Sequence, residues 1–326
     1  MKNVIILFLF TISLLSCSED SLFVDISQSK SSIDFRHYEQ DLFNIDRNDL
    51  KKSLDEIAAK YPIFMDENYK DPAKINQLND YLNNELSIKL FRDWKNKIGS
   101  YNTIKKELNH AFSHYRYYFK NDQTPIIYTY ISGINYEEPI VVNNNEILIG
   151  IDLFYGPDYE VYNQFQIPQY LSKNNKIEYL TPVVMRRFAQ QKFANFIYGE
   201  TLLENMIGLG KIEYFIEAMM PRVMDSIRFQ FTSNQMIWCY SNEKVFWKHL
   251  AMKEYLFSKD YRNYKKFIQH GPFASSLERN SPGRAGVFIG YRIIKEFMRR
   301  NPDVTLKELM HNRDFTSIFR NSKYNP

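Results

Sequence analysis

Cysteine is almost absent from this chain: Cys17 and Cys239 are the two among 326 residues. That excludes a disulfide framework, so stability has to come from packing. A membrane-spanning run is missing at the N-terminus, where the apolar stretch from Val4 to Leu15 covers about a dozen residues, short of the roughly 20 that a helix needs. Charge of one sign is scarce too, with a formal net charge of +4, too small to argue for nucleic acid as a partner. The sequence has no Gly-x-Ser-x-Gly elbow, no phosphate loop and no Gly-x-Gly-x-x-Gly fingerprint, and therefore no signature of a serine hydrolase or a nucleotide site. Internal repeats and low-complexity segments are absent as well.

What is present begins with Lys2, the apolar run and Leu14-Leu15-Ser16-Cys17. A basic start, an apolar middle and a small residue before the cut form an export signal, so cleavage is expected between Ser16 and Cys17 and residues 1–16 stand outside the fold. The ending has the form of a bacterial lipobox, which makes Cys17 the candidate for lipidation. Acyl chains contribute about 0.8 kcal/mol per buried methylene, so several of them hold a domain firmly on a membrane without spanning it. The alternative is an ordinary secretory signal with an incidental cysteine. Removing the leader removes Lys2 alone among its charges, and about 310 residues remain, enough for one large domain with a substantial core. The chain is rich in aromatics, with 24 Tyr and 25 Phe. Cys239, within Met-Ile-Trp-Cys-Tyr, is expected to be a buried and inert thiol.

Along the chain, residues 17–32 are rich in Ser and Asp and predict a flexible tether. Residues 33–326 predict a single globular domain. A short strand is expected at Asp34–Tyr38, and helices at 41–61, 73–96 and 101–119. Between Thr124 and Phe154 the apolar period changes to two, which predicts three strands in a small antiparallel sheet, with Gly133-Ile134-Asn135 and Asn143-Asn144-Asn145 as turns. The last of these strands is apolar enough to be covered on both faces. The rest predicts helices: one opening at Thr181-Pro182, with Thr181 as N-cap, another over about 243–257, and one after Ser281-Pro282-Gly283-Arg284. In the last of these, Gly286 and Gly290 call for a close helix contact, because glycine inside a helix costs roughly 1 kcal/mol. Asn301-Pro302 ends that helix, and Thr305-Leu306-Lys307-Glu308 is a capping box. The fold class is α+β, mostly helical.

Candidate chemistry is sparse. His110 and His114 share a helix face, but Ala111 stands where a zinc peptidase of the H-E-x-x-H type needs its glutamate, and no third ligand is near. No metal and no cofactor is expected. Ser281-Pro282-Gly283-Arg284 could receive an anion on helix amides with Arg284 adding a fork of donors; the plainer reading is a capped helix. Asp152 and Tyr155 follow the last strand, where clefts often open, although an aspartate there more commonly forms a turn. Arg284, Gly283, Asp152 and Tyr155 are thus the candidate binding residues. Arg186-Arg187 predicts a solvated helix face. The aromatic-rich segments could stack on sugar rings, but their spacing favours the core.

Several segments in order resemble the gliding motility-associated lipoprotein GldB family of Bacteroidota: Leu-Leu-Ser-Cys at 14–17, Tyr61-Pro62-Ile63-Phe64, Tyr128-Thr129-Tyr130-Ile131-Ser132-Gly133, Ile147-Leu148-Ile149-Gly150-Ile151-Asp152, Ser281-Pro282-Gly283-Arg284 with Ile289-Gly290, Asn301-Pro302-Asp303-Val304 and Ser322-Lys323-Tyr324. The resemblance implies a non-catalytic lipoprotein that serves the gliding machinery and its linked protein-secretion system, anchored at the outer membrane and facing the periplasm, with envelope proteins as partners. It supplies no catalytic residues. A more distant similarity, to predicted zinc peptidases, lies in a sheet, a long helix from Pro182 and a Pro-Gly-Arg segment before a Gly-Tyr helix. It implies a zincin-like core whose H-E-x-x-H would stand where this chain has Val183-Val184-Met185-Arg186-Arg187-Phe188-Ala189-Gln190. Such a scaffold would have lost its metal and kept its cleft. A divergent metallopeptidase and a surface glycan-binding lipoprotein are the competing functions.

Overall fold

Period-two apolar residues build four strands: β1 (Phe35–His37), β2 (Ile126–Tyr130), β3 (Ile140–Asn143) and β4 (Glu146–Gly150). The computed structural model describes residues 22–65, 67–274, 277 and 280–326, and places these strands in one sheet of order β1-β2-β4-β3. β1 and β4 run parallel to β2, and only β3 is antiparallel, to β4. The expected antiparallel sheet is therefore corrected to a mixed one. The cause is loop length. Asn144 at φ 50° closes a tight hairpin between β3 and β4, whereas nine residues separate β2 from β3 and carry β3 past the neighbouring position. β4 then takes the place beside β2 with Ile147 and Ile149 buried on one face, whereas Leu148 on the other is only partly buried, so the expected cover on both faces is incomplete.

Helices α1 (Tyr38–Phe43), α2 (Leu50–Lys60), α3 (Pro72–Asn83), α4 (Glu85–Lys97) and α5 (Asn102–Tyr118) precede β2. The two long helices expected at 41–61 and 73–96 are each broken in two. At the second break Asn84 accepts the N–H groups of Leu86 and Ser87 and opens α4 as its N-cap, a local preference that overrides the continuous apolar period.

After the sheet come two short helices, α6 (Glu160–Gln164) and α7 (Gln169–Ser172), then α8 (Leu180–Lys192), α9 (Ala194–Ile197), α10 (Leu202–Met219), α11 (Asp225–Phe229), α12 (Ser233–Met252), α13 (Tyr261–Ile268), α14 (Ala285–Arg300), α15 (Leu306–His311) and α16 (Phe315–Ser322). α8 begins one residue before Thr181, whose hydroxyl donates to Glu107 rather than capping the helix. The capping box at Thr305 forms as expected. α10 is buried on nearly all sides and runs through the core. Its partner is α14: a Cβ on Gly290 would lie 1.7 Å from the Met206 carbonyl oxygen, and one on Gly210 would lie 2.2 Å from the Gly290 carbonyl carbon. These glycines let the two backbones touch, the packing reason that Gly290 was expected to have.

The predicted tether is packed where the structure describes it. Leu22 is 4% exposed, the Ser31 N–H donates to the Ser113 hydroxyl and the Ile33 N–H to Asn109, so residues 22–32 lie along α5. Cleavage at Ser16 and lipidation at Cys17 lie outside the described residues. Among the described residues no helix is long and apolar enough to cross a membrane. Cys239 is buried, and burial pushes its thiol pKa up.

Candidate functional site

The edge strand β3, the preceding loop and helices α8, α10 and α13 enclose a cleft of about 950 Å³. Its upper wall is Tyr136 to Ile140, and its floor is formed by Arg186 of α8, Gln230, His270 and Arg284. Tyr136, Tyr198 and Tyr261 stand exposed at its mouth.

The floor is organised by Glu213, a fully buried residue of α10. An unpaired carboxylate would not ionise there. Arg186 donates from Nε and Nη2 to its two oxygens at 3.1 and 3.0 Å, and Arg284 Nη2 donates to Oε1 at 2.8 Å. Burial by itself would raise the pKa of Glu213, but the charges of Arg186 and Arg284 more than offset it and hold the carboxyl below its usual range. Arg186 also donates from Nη1 to Gln230 at 3.1 Å and from Nη2 to the Arg228 carbonyl. Arg228 lies behind, donating to the Glu213 carbonyl at 3.1 Å and to Asp225, between the rings of Tyr291 and Phe229.

Two guanidiniums share the single carboxylate of Glu213, so the floor keeps an excess positive charge. Arg284 registers this: burial, then the charge of Arg186, lower its pKa to about 10 in spite of Glu213. Its Nη1 is buried and has no hydrogen-bond partner. His270 opens onto the cleft. The protein crowded around it, followed by the charges of Arg284, Arg186 and Lys173, holds its pKa well below 6.5. Both causes act in the same direction and leave it neutral at physiological pH.

Local geometry fixes these positions. Arg284 is the N-cap of α14 at φ 66°, a left-handed conformation that turns its side chain back beneath the helix start. Gly283 makes room for this, since a Cβ there would lie 2.5 Å from the Gly271 carbonyl oxygen. The start of α14 is buried against α13, so the side chain of Arg284, not the helix amides, faces the cleft. Asp152 and Tyr155 lie behind the wall. Asp152 accepts from the N–H and hydroxyl of Ser132 and from the N–H of Ile134, and Tyr155 donates to the Leu90 carbonyl. The Asp152 bonds pin Gly133 at φ 69° and Ile134 at φ 66°, a costly conformation for a β-branched residue. Asp152 thereby sets the path of the loop that becomes the cleft wall. Of the four candidates, Arg284 lines the cleft, Gly283 lets it do so, Asp152 shapes its wall, and Tyr155 is tied to α4 away from it.

Sequence reasoning missed Glu213, Gln230 and His270, and it took Arg186 for a solvated residue. Only Arg187 is exposed; Arg186 is 6% exposed. A signal was available in α10, where Lys211 and Glu213 interrupt the apolar run at its centre and must find partners if the run is buried. Lys211 donates to the Phe196 and Asn312 carbonyls, and burial lowers its pKa to about 7.

The metal of a zincin does not fit this donor set. α8 presents guanidiniums where ligands would have to be, and among the described residues no three His, Cys, Asp or Glu side chains cluster closely enough to hold an ion. The His110–His114 rings are 4.6 Å apart without a third donor, and His114 is tied to the His110 carbonyl.

Comparison with protein-family models matches residues 19–326 to the family described as gliding motility protein GldB. No curated protein and no solved structure matches the chain.

Proposed function

Since this chain belongs to the GldB gliding-motility family, we propose that it is a non-catalytic accessory lipoprotein of the gliding machinery and its linked protein-secretion system, and that the cleft holds a segment of an envelope partner. The match of residues 19–326 carries this reading. The non-catalytic part draws support from the floor: α8 carries no histidine or glutamate from Val183 to Gln190, and the guanidiniums of Arg186 and Arg284 repel a cation.

Anchoring through acylated Cys17, at the outer membrane and facing the periplasm, is part of the same proposal. Among the described residues the first packed one is Leu22, so the chain from Cys17 to it spans at most about 17 Å. The domain then works close to the bilayer surface. A Cys17→Ala variant should leave the membrane fraction on cell fractionation, and retention there would remove the anchor from the account.

Pull-down of the lipidated protein from crosslinked membranes of its native host, read by mass spectrometry, tests the role. Recovery of gliding or secretion components is expected. Recovery of glycan-uptake proteins in their place would favour the second reading, a surface glycan-binding lipoprotein, which has one observation behind it: the exposed rings of Tyr136, Tyr198 and Tyr261 at the cleft mouth.

A further inference from the structure

We propose that the cleft takes an extended polypeptide segment by strand addition to β3, and that a carboxylate on that segment is received by Arg284 at the floor. This rests on the reading of the cleft as a partner site and names the chemistry of the partner.

The carboxylate follows from the floor. Arg284 is 6% exposed, spends Nη2 on Glu213 at 2.8 Å and leaves Nη1 buried without a partner. A buried donor left unpaired costs about 1–3 kcal/mol, and a guanidinium edge matches a carboxylate with two parallel bonds. The local charge agrees: Arg186 and Arg284 share Glu213, and exposed Arg187 adds a further positive charge at the rim.

The polypeptide follows from the wall. Among the described residues β3 ends the sheet order and no strand pairs with its outer edge, while α8 packs on the strand. The Gly150 N–H donates to the Pro139 carbonyl at 3.0 Å, and opposite residues in an antiparallel pair alternate between bonded and non-bonded. Ile140 and Val142 therefore direct their N–H and C=O groups away from β4. A free strand edge beside a cleft is the arrangement that receives an extended chain through main-chain bonds. Exposed Glu137 and Glu138 on the same wall suit neutral or basic residues upstream of the carboxylate.

Three octapeptide pools, degenerate over uncharged residues and lysine and labelled at the N-terminus through an amide with a neutral, carboxylate-free BODIPY dye, test this with the lipidated protein in detergent micelles. The first has a free C-terminus as its only carboxylate, the second a C-terminal amide and one internal aspartate, the third an amide and no carboxylate. Fluorescence anisotropy should show at least one of the first two pools binding tenfold or more tightly than the third, and which of them does so separates a chain terminus from a side chain. Arg284→Gln should abolish the preference. Because that residue also caps a helix, Arg187→Gln on the exposed rim serves as the second variant and should reduce the preference severalfold. Val142→Pro removes an outward N–H without removing a bond to β4, and should weaken all three pools while the carboxylate preference survives. Equal binding of the three pools, or a preference that both arginine variants leave unchanged, overturns the proposal. If crosslinking in the host still recovers gliding or secretion components after such a result, the partner reading stands and only the carboxylate site falls.

Discussion

Two buried carboxylates, one in each half of the molecule, have opposite fates. Beside the sheet, Glu39 of α1 is met by neutral groups: the Tyr101 hydroxyl donates to it at 2.6 Å and the Thr129 hydroxyl at 2.8 Å. Burial prevails over those bonds and pushes its pKa up to about 7. In the helical half, Glu213 is as deeply buried, yet two guanidiniums keep it ionised. Burial sets the cost, and the partners decide whether a buried acid keeps its charge. The Glu39 cluster closes on itself, with His37 bonded to Thr129 at 3.1 Å and stacked on Tyr101 at 4.0 Å. The Glu213 cluster has an excess cation and borders a cleft, and only this second arrangement has something to offer a ligand.

The largest effect should come from unbalancing the charged cluster. Glu213→Gln leaves Arg186 and Arg284 buried without their counter-ion and should cost about 3–5 kcal/mol in chemical denaturation. A loss under 1 kcal/mol would mean that the two guanidiniums are solvated in solution.

The neutral cluster should break in a different way, through pH. Folding raises Glu39 from 4.5 to about 7 and lowers His37, chiefly by burial, from 6.5 to about 4. Between about pH 4.5 and 6.5 the unfolded chain carries a proton on His37 and the folded chain carries one on Glu39, so the pair adds no net slope to stability against pH. Each single substitution uncovers the other slope. In His37→Phe the raised Glu39 remains, so stability should fall relative to the parent, by on the order of 3 kcal/mol, as pH rises from about 4.5 to 7. In Glu39→Gln the lowered His37 remains, and stability should rise with pH from about 4 to 6.5. Denaturation midpoints measured across this range, with parallel curves for parent and variants, would remove the coupled pair from the account.

Packing between α10 and α14 holds Glu213 against Arg284. Gly290→Ala drives a methyl group into the Met206 carbonyl and should lower the thermal midpoint by an amount equivalent to about 1–3 kcal/mol. The smallest effect is expected from Lys259 and Glu200, a salt bridge with both side chains largely exposed. Lys259→Ala should change stability by less than about 0.5 kcal/mol.

The sequence made legible whatever depends on near neighbours. The capping box at Thr305, the helix end before Asn301-Pro302, the three central strands and the close approach at Gly290 are all local statements, and the folded chain bears them out. Pairing across the sheet was not legible, because the neighbour of β2 depends on how far the following loop carries β3. Arg186 and Arg187 are adjacent and alike in the sequence, but a helix turns one inward and the other out, and Glu213, the residue that makes the inward position tolerable, lies 27 positions away. Residues 22–32 were illegible for a similar reason: their Ser-rich composition suits a linker, while Leu22 is buried and the backbone at Ser31 and Ile33 finds partners on α5. The family resemblance covered what local reading could not, but it names no site residue, so the cleft had to come from the fold.

A photo-crosslinking residue placed at Tyr198 on the cleft mouth, and in a parallel strain at exposed Ile237 outside the cleft lining, tests the central claim most directly in the native host. The account predicts that gliding or secretion components are captured from Tyr198, that capture from Ile237 is much weaker, and that Arg187→Gln diminishes the Tyr198 product. Equal capture from both positions, or capture from Ile237 alone, would contradict a partner site in the cleft.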